Sequence, residues 1–125
     1  MIPGSQKDHP SFVRSFAFAL EGFMTAVKTE RNIKIMLVIG AAALSLGIVL
    51  QLDVISWIII LFCCGLVLHA ELANTALEAV VDLACQDIHP LAKRAKDIAA
   101  ASVYVLSCVA AIVGCLVYAH ALGWV

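Results

Sequence analysis

Four polar residues between positions 71 and 82 recur at a spacing that places them on one side of a helix. At about 100° per residue, Glu71, Asn74, Glu78 and Asp82 project at about 0°, 300°, 340° and 20°. We call these four residues the polar stripe. Carboxylate and amide oxygens suit Mg²⁺, and a carboxylate can also take up a proton in catalysis. The stripe predicts a cation or proton site, the alternative being a solvated or salt-bridged helix face.

Further charged residues flank two apolar stretches and could join the polar stripe. Glu30 stands just before the first apolar stretch, and Lys96 and Asp97 open the third. Carboxylates beside a lysine suit a polyphosphate with Mg²⁺, which is commonly held by about one or two protein carboxylates and by substrate phosphates. The sequence has no Walker A motif and no protein-kinase glycine loop, so any nucleotide site is of another type.

The composition indicates the environment in which these groups work. Hydrophobic residues make up 63% of the 125-residue chain and charged residues 14%, against about 45–50% and about 25% in an ordinary soluble domain. These values exclude a disordered chain, a coiled-coil rod and a typical soluble protein. The formal net charge of −1 argues against nucleic-acid binding, which needs a strongly basic surface. We expect one small integral membrane protein domain.

The first part of the chain predicts a helix lying on the membrane surface. We expect a flexible tail over 1–10 and a single domain over 11–125. The segment 11–31 is too polar to span a membrane, but its apolar residues follow one helix face. These residues are Phe12, Phe16, Leu20, Phe23 and Val27.

The rest of the chain predicts three transmembrane helices, so that the fold class is all-α. The expected spans are 33–52, 54–84 with its cytoplasmic end, and 96–123, each with an uncharged stretch long enough to cross a bilayer. Asp53 is expected to help start the second span. Pro90 is expected to break the helix within an inner turn over 85–92.

The distribution of basic residues predicts the orientation. All eight lysines and arginines lie before the uncharged parts of the first and third spans, and the turn between the first two spans has none. The positive-inside rule then places the N-terminus and the polar stripe on the cytoplasmic side and the C-terminus outside.

Three motifs carry a resemblance to a known family. The run ELANTALEAVVDL, the downstream HPLAKRAKDIAA and KTERNIK before the first span resemble the small prokaryotic diacylglycerol kinase/undecaprenol kinase family, over roughly residues 12–118. The ERN-type sequence and HPLAK are more similar to the Gram-positive undecaprenol kinase branch. The resemblance implies a homotrimer in the bacterial cytoplasmic membrane, with sites shared between subunits. It also implies transfer of the γ-phosphate of MgATP to a lipid hydroxyl.

The resemblance assigns a role to each polar position that matches the family's motifs. Glu71 matches the general base, and Glu30 and Glu78 match the metal ligands. The residues implied at the nucleotide are Glu30, Asn74, Glu78, Lys96 and Asp97. The residues implied at the acceptor lipid are Glu71, Asn74 and Lys96.

Other positions carry no firm role. Asp82 matches a residue of the same stripe whose role is less defined. Glu21 is either part of a solvated face or a support for the nucleotide or metal. Met36 stands where proteobacterial members usually carry an acid, so any contact made by that acid is absent. The divergent N-terminal helix carries no transferable adenine or ribose contacts.

Three functions remain in view at this point. The first is an ATP-dependent lipid kinase, with undecaprenol as first substrate and diacylglycerol as second. The second is an oligomeric ion or proton channel, or a transporter, that conducts along the polar stripe, although the apolar outer halves of the spans argue against it. The third is a non-catalytic scaffold, which gives no reason to align three acids with Asn74.

Overall fold

The computed structural model describes residues 11–125, which form four α-helices in chain order. They are α1 (Phe12–Thr29), α2 (Arg31–Val49), α3 (Val54–Ala84) and α4 (Pro90–Ala121). α2, α3 and α4 are long and apolar enough to cross a membrane. The expected all-α membrane fold with one amphipathic helix and three spans is confirmed. The tail predicted over 1–10 lies outside the described residues.

The amphipathic helix α1 leaves large apolar side chains uncovered near its start. Phe12 and Phe16 are 88% and 68% exposed, while Ala26 near the other end is buried. α1 contacts both α2 and α3. An exposed aromatic face on a helix with charged residues on its other faces is typical of an interfacial helix.

The turn between α2 and α3 is closed by its own side chains. The Asp53 carboxylate accepts hydrogen bonds from the backbone N–H groups of Ile55 and Ser56 at 2.9 and 3.0 Å and from the Ser56 hydroxyl at 2.8 Å. These bonds, that from the Ser56 N–H first, lower the pKa of Asp53 below its usual range. The capping role expected of Asp53 is confirmed.

At the end of α2, the side chains of Trp57 and Leu52 pack closely against Gly47. A Cβ added to Gly47 would lie 3.0 Å from Cη2 of Trp57 and 3.1 Å from Cδ1 of Leu52. Gln51 takes the left-handed backbone conformation, with φ 53°, and the N–H of Leu52 donates to the Gly47 carbonyl at 3.1 Å. Only a residue without a side chain lets the Trp57 ring approach α2 this closely.

The turn between α3 and α4 differs from the expectation. It is shorter than 85–92, because α4 begins at Pro90 and His89 caps it, its Nδ1 accepting a hydrogen bond from the Leu91 N–H at 3.2 Å. Proline is favoured in the first turn of a helix, where its missing N–H would have no partner. Pro90 therefore starts a helix instead of breaking one, and the predicted span 96–123 begins inside α4.

α3 is the central helix of the bundle, packing along α4 and α2. α2 and α4 are joined where the Tyr118 hydroxyl donates to the Ala43 carbonyl at 2.6 Å. Few side chains are buried, among them Ile33, Ile60 and Val103. An apolar groove of about 780 Å³ opens between α2, α3 and α4.

Candidate active site

The polar stripe runs along the last part of α3, and its burial decreases toward the helix end. Glu71 is 3% exposed. Asn74 and Glu78 are half-buried, and Asp82 is exposed. α3 continues without interruption from its apolar part to Ala84, so the backbone hydrogen bonds of one helix hold all four side chains in line. The structure thus places the four residues on one face, with Glu71 deepest in the bundle.

The Asn74 side chain has one polar atom that is hydrogen-bonded and one that is unpaired among residues 11–125. Its Nδ2 donates to Oε1 of Glu78 at 3.0 Å, one helical turn away. Its Oδ1 is buried and has no hydrogen-bond partner within residues 11–125. Leaving a buried acceptor unpaired costs about 1–3 kcal/mol. An oxygen held in this way suits a hydrogen-bond donor or a hard cation from outside the chain.

α4 brings Lys96 to the exposed end of the stripe. The Lys96 ammonium forms an ion pair with the Asp82 carboxylate. Asp97, one residue later, forms an ion pair with Lys93 on the outer surface of the same helix. Exposed ion pairs of this kind contribute little to stability, so a polyphosphate could replace the Asp82 carboxylate at Lys96 at small cost.

Glu30 precedes α2 and lies in a part of the chain separate from the polar stripe of α3. It is half-buried and forms the junction between α1 and α2. Its Oε1 accepts a long hydrogen bond, 3.3 Å, from the Thr29 hydroxyl. Within residues 11–125 its carboxylate forms no ion pair. This carboxylate is therefore available to a cation that the chain does not itself supply.

A cleft of about 650 Å³ lies between α1 and α3 beside these residues. Glu21, Thr25 and Thr29 line it from α1, and Thr75 and Ala79 line it from α3. Glu21 thus borders the cleft and is also exposed to solvent. Thr25 was not singled out by the sequence analysis, although its spacing of four residues from Glu21 places it on the same helix face.

The ligand types fit Mg²⁺ only if the substrate completes its coordination. Among residues 11–125, no three His, Cys, Asp or Glu side chains lie close enough to hold a metal ion together. Mg²⁺ does not need such a group, because it keeps waters and substrate phosphates as ligands beside about one or two carboxylates. The uncommitted oxygens of Glu30, Glu78 and Asn74 meet that requirement in type.

The comparison with known proteins decides the family. A model of the prokaryotic diacylglycerol kinase family matches residues 17–118. This chain belongs to that family. The matched region contains α2, α3 and almost all of α4, together with every candidate site residue.

Three relatives in the prokaryotic diacylglycerol kinase family illustrate its range. The undecaprenol kinase of Bacillus subtilis (strain 168) is 39% identical over 116 residues, which cover 90% of this chain and 94% of that protein. A diacylglycerol kinase of Synechocystis is 41% identical over 106 residues, covering 84% of this chain and 61% of that protein. A diacylglycerol kinase of Escherichia coli (strain K12) is 38% identical over 72 residues, 57% and 59% of the two chains.

Family membership confirms the expected enzyme class. The chain is a lipid kinase that carries out ATP-dependent phosphotransfer, and it is a multi-pass membrane protein. The alternative of an ion channel or transporter receives no support from the family or from its relatives.

Proposed function

We propose that this chain transfers the γ-phosphate of MgATP to the hydroxyl of undecaprenol, with diacylglycerol as the second candidate acceptor. Support for undecaprenol comes from the relative of that name, which aligns over nearly the full length of both chains. The observation that carries the kinase site is the polar stripe, where Glu71 is buried and the Asn74 oxygen has no partner among residues 11–125. Leaving buried polar groups without a hydrogen-bond partner costs free energy, and a bound substrate can offset that cost.

The buried Glu71 is proposed as the general base. A carboxylate at 3% exposure, with no hydrogen bond or ion pair from residues 11–125, can turn to an incoming hydroxyl without first losing a partner. As the hydroxyl oxygen bonds to the γ-phosphorus, the bond to the bridging oxygen breaks and ADP leaves. The Glu71 carboxylate accepts the hydroxyl proton in that step.

The nucleotide is proposed to lie among Glu30, Asn74, Glu78, Lys96 and Asp97. Mg²⁺, held by Glu30 and Glu78, would supply charge neutralisation for the phosphate oxygens. Lys96 forms an ion pair with Asp82. Once that ion pair opens, Lys96 would place a positive charge beside the phosphates. Asn74 would hold Glu78 through their hydrogen bond and offer its free oxygen to the acceptor lipid.

The assembly and orientation are also proposals. We infer a homotrimer with shared sites from the family to which the chain belongs. The bacterial cytoplasmic membrane, with the N-terminus inside and the C-terminus outside, is supported by the absence of lysine and arginine from the turn between α2 and α3. Sedimentation equilibrium in density-matched detergent tests the trimer.

A transfer assay tests the function. Purified protein in mixed micelles receives γ-labelled ATP and Mg²⁺, with undecaprenol and diacylglycerol in parallel reactions. We expect label in both lipids, with the larger kcat/KM for undecaprenol. A larger kcat/KM for diacylglycerol would overturn the assignment of undecaprenol as the acceptor. No label in either lipid from a folded oligomer would overturn the lipid kinase function itself.

A further inference from the structure

A single residue joins the surface helix to the first spanning helix. Glu30 is extended, with φ −96° and ψ 120°, between the end of α1 and the start of α2. Its N–H donates to the Ala26 carbonyl at 2.8 Å, which holds its backbone against the last turn of α1. Because Glu30 alone links the two helices, the angle between α1 and α2 determines the direction in which the Cα–Cβ bond of Glu30 leaves the backbone.

We call the junction of α1 and α2 at Glu30 the joint. Lys34 of α2 forms a hydrogen bond across it. Its Nζ donates to the Lys28 carbonyl oxygen, in the last turn of α1, at 2.9 Å. The last carbonyl groups of a helix have no partner inside it, and a cation beside them is favoured by the helix dipole. One side chain of α2 therefore caps the C-terminus of α1 and ties the two helices together.

The same hydrogen bond directs the Lys34 ammonium to the Lys28 carbonyl oxygen. Lys28, Arg31 and Lys34 all stand within four residues of Glu30 in the sequence. Within residues 11–125, however, the ion pairs are those of Lys93 with Asp97 and of Lys96 with Asp82. With Lys34 directed to the Lys28 carbonyl and neither Lys28 nor Arg31 in an ion pair, the Glu30 carboxylate has no cation partner among residues 11–125.

The joint is packed on both sides. Ile33, one turn into α2, is fully buried, and Ala26 in α1 is 8% exposed. The Lys34 ammonium donates to the Lys28 carbonyl, so we expect Ile33 and Ala26 to stay buried when that ammonium is removed. Loss of the Lys34 hydrogen bond is therefore expected to change the angle between α1 and α2 without unfolding either helix.

We propose that Lys34 is a positioning residue for the kinase reaction. By capping α1 across the joint, it sets the direction of the Glu30 carboxylate and stays off that carboxylate, which leaves it open to Mg²⁺. This inference rests on the proposed function, because it takes Glu30 as a metal ligand. Lys34 acts through Glu30 and is not proposed to touch the substrate.

The test compares three variants of the full chain in micelles. Lys34→Met removes the donor and the charge, Lys34→Arg keeps both, and Lys28→Met removes a neighbouring charge while keeping the carbonyl that accepts the hydrogen bond. Binding of Mn²⁺ is measured by electron paramagnetic resonance with a non-hydrolysable ATP analogue. This readout does not depend on turnover.

We expect Lys34→Met to weaken Mn²⁺ binding by about 10–100-fold, as is usual when a group that orients a metal ligand is lost. Lys34→Arg and Lys28→Met are expected to bind Mn²⁺ like the parent protein, and all variants to keep its thermal midpoint. In the Glu30→Gln background, Lys34→Met should have little further effect, because both changes act on the same ligand. If Lys34→Met fails to fold, Lys34→Gln replaces it with the same expectation.

Two results would overturn the proposal. One is equal weakening by Lys28→Met and Lys34→Met, which would mean that basic charge alone attracts the metal–nucleotide complex. The other is unchanged Mn²⁺ binding in Lys34→Met when the parent protein phosphorylates lipid, a result that leaves the proposed function standing. Weakened Mn²⁺ binding in Lys34→Met, from a parent protein without lipid kinase activity, would keep the positioning role and overturn only the proposed function.

Discussion

The two ends of α3 are built in opposite ways. At the capped end, formed by Gly47, Leu52, Asp53 and Trp57, the polar groups find partners within the turn and the ring of Trp57 fills the space over Gly47. At the polar end, formed by Glu30, the polar stripe and Lys96, an Asn74 oxygen is buried without a partner within residues 11–125.

This difference separates stability from function along one helix. Polar groups that are paired inside the chain contribute to its stability. Polar groups left unpaired lower the stability and are the ones that a substrate, metal or neighbouring subunit can satisfy. We therefore expect changes at the polar end to affect kinetics and changes at the capped end to affect unfolding.

The strongest test of this contrast is Glu71→Gln. We expect kcat to fall by about 10²–10⁴-fold, because a general base of this kind contributes that much and a carboxamide cannot accept the proton. The KM for ATP and the thermal midpoint should stay close to those of the parent protein. The transfer assay and a melting curve measure both, and a parental kcat would contradict the assignment of Glu71.

Glu78→Gln tests the metal part of the polar end. We expect the Mg²⁺ concentration for half-maximal rate to rise at least about tenfold, since one proposed carboxylate ligand is lost. Asp53→Asn is the matched control, because it removes one carboxylate charge at the capped end and keeps an acceptor for the helix cap. An equal rise in both variants would show that net charge alone controls the Mg²⁺ requirement.

Gly47→Val tests the capped end. The new side chain would overlap Trp57 and Leu52, and overpacking of this kind costs about 1–3 kcal/mol. Gly114→Val is the control: valine has the same helix propensity there, and no atom of the described residues 11–125 lies near a Cβ at Gly114, within 4 Å. We expect denaturant unfolding to separate the two variants while the KM for ATP stays the same in both. Equal stability of the two would mean that the Trp57 contact is not tight.

The smallest expected effect concerns Asp53 and pH. Its pKa is lowered in the folded chain by the hydrogen bonds from Ser56 and Ile55, so its contribution to stability is complete above the usual aspartate pKa of about 3.9. As the pH falls through the lower, folded pKa, that contribution is lost. Asp53→Ala should lower the thermal midpoint at pH 7 and reduce its fall in acid. Parallel pH profiles for the parent and the variant would contradict the capping account.

Most of the helical framework followed from local chemistry. The apolar runs predicted three spans, and the capping residue Asp53 predicted where α3 begins. Pro90 was misread because proline is compatible both with a turn and with the first residue of a helix, and only the observed His89 cap distinguishes the two. Thr25, which lines the α1–α3 cleft, was missed because helix spacing tells which residues share a face, but not what that face meets.

The sequence by itself determined the membrane environment, the helical segments and the alignment of Glu71, Asn74, Glu78 and Asp82, because each of these depends on composition or on the helical period. The tertiary structure alone decided that Glu71 is buried, that the Asn74 oxygen has no partner within residues 11–125, and that Lys96 meets Asp82. It also decided that Lys34 caps α1, which leaves Glu30 free of ion pairs within residues 11–125. These facts depend on how separate helices pack against one another, and local sequence patterns carry no information on that packing.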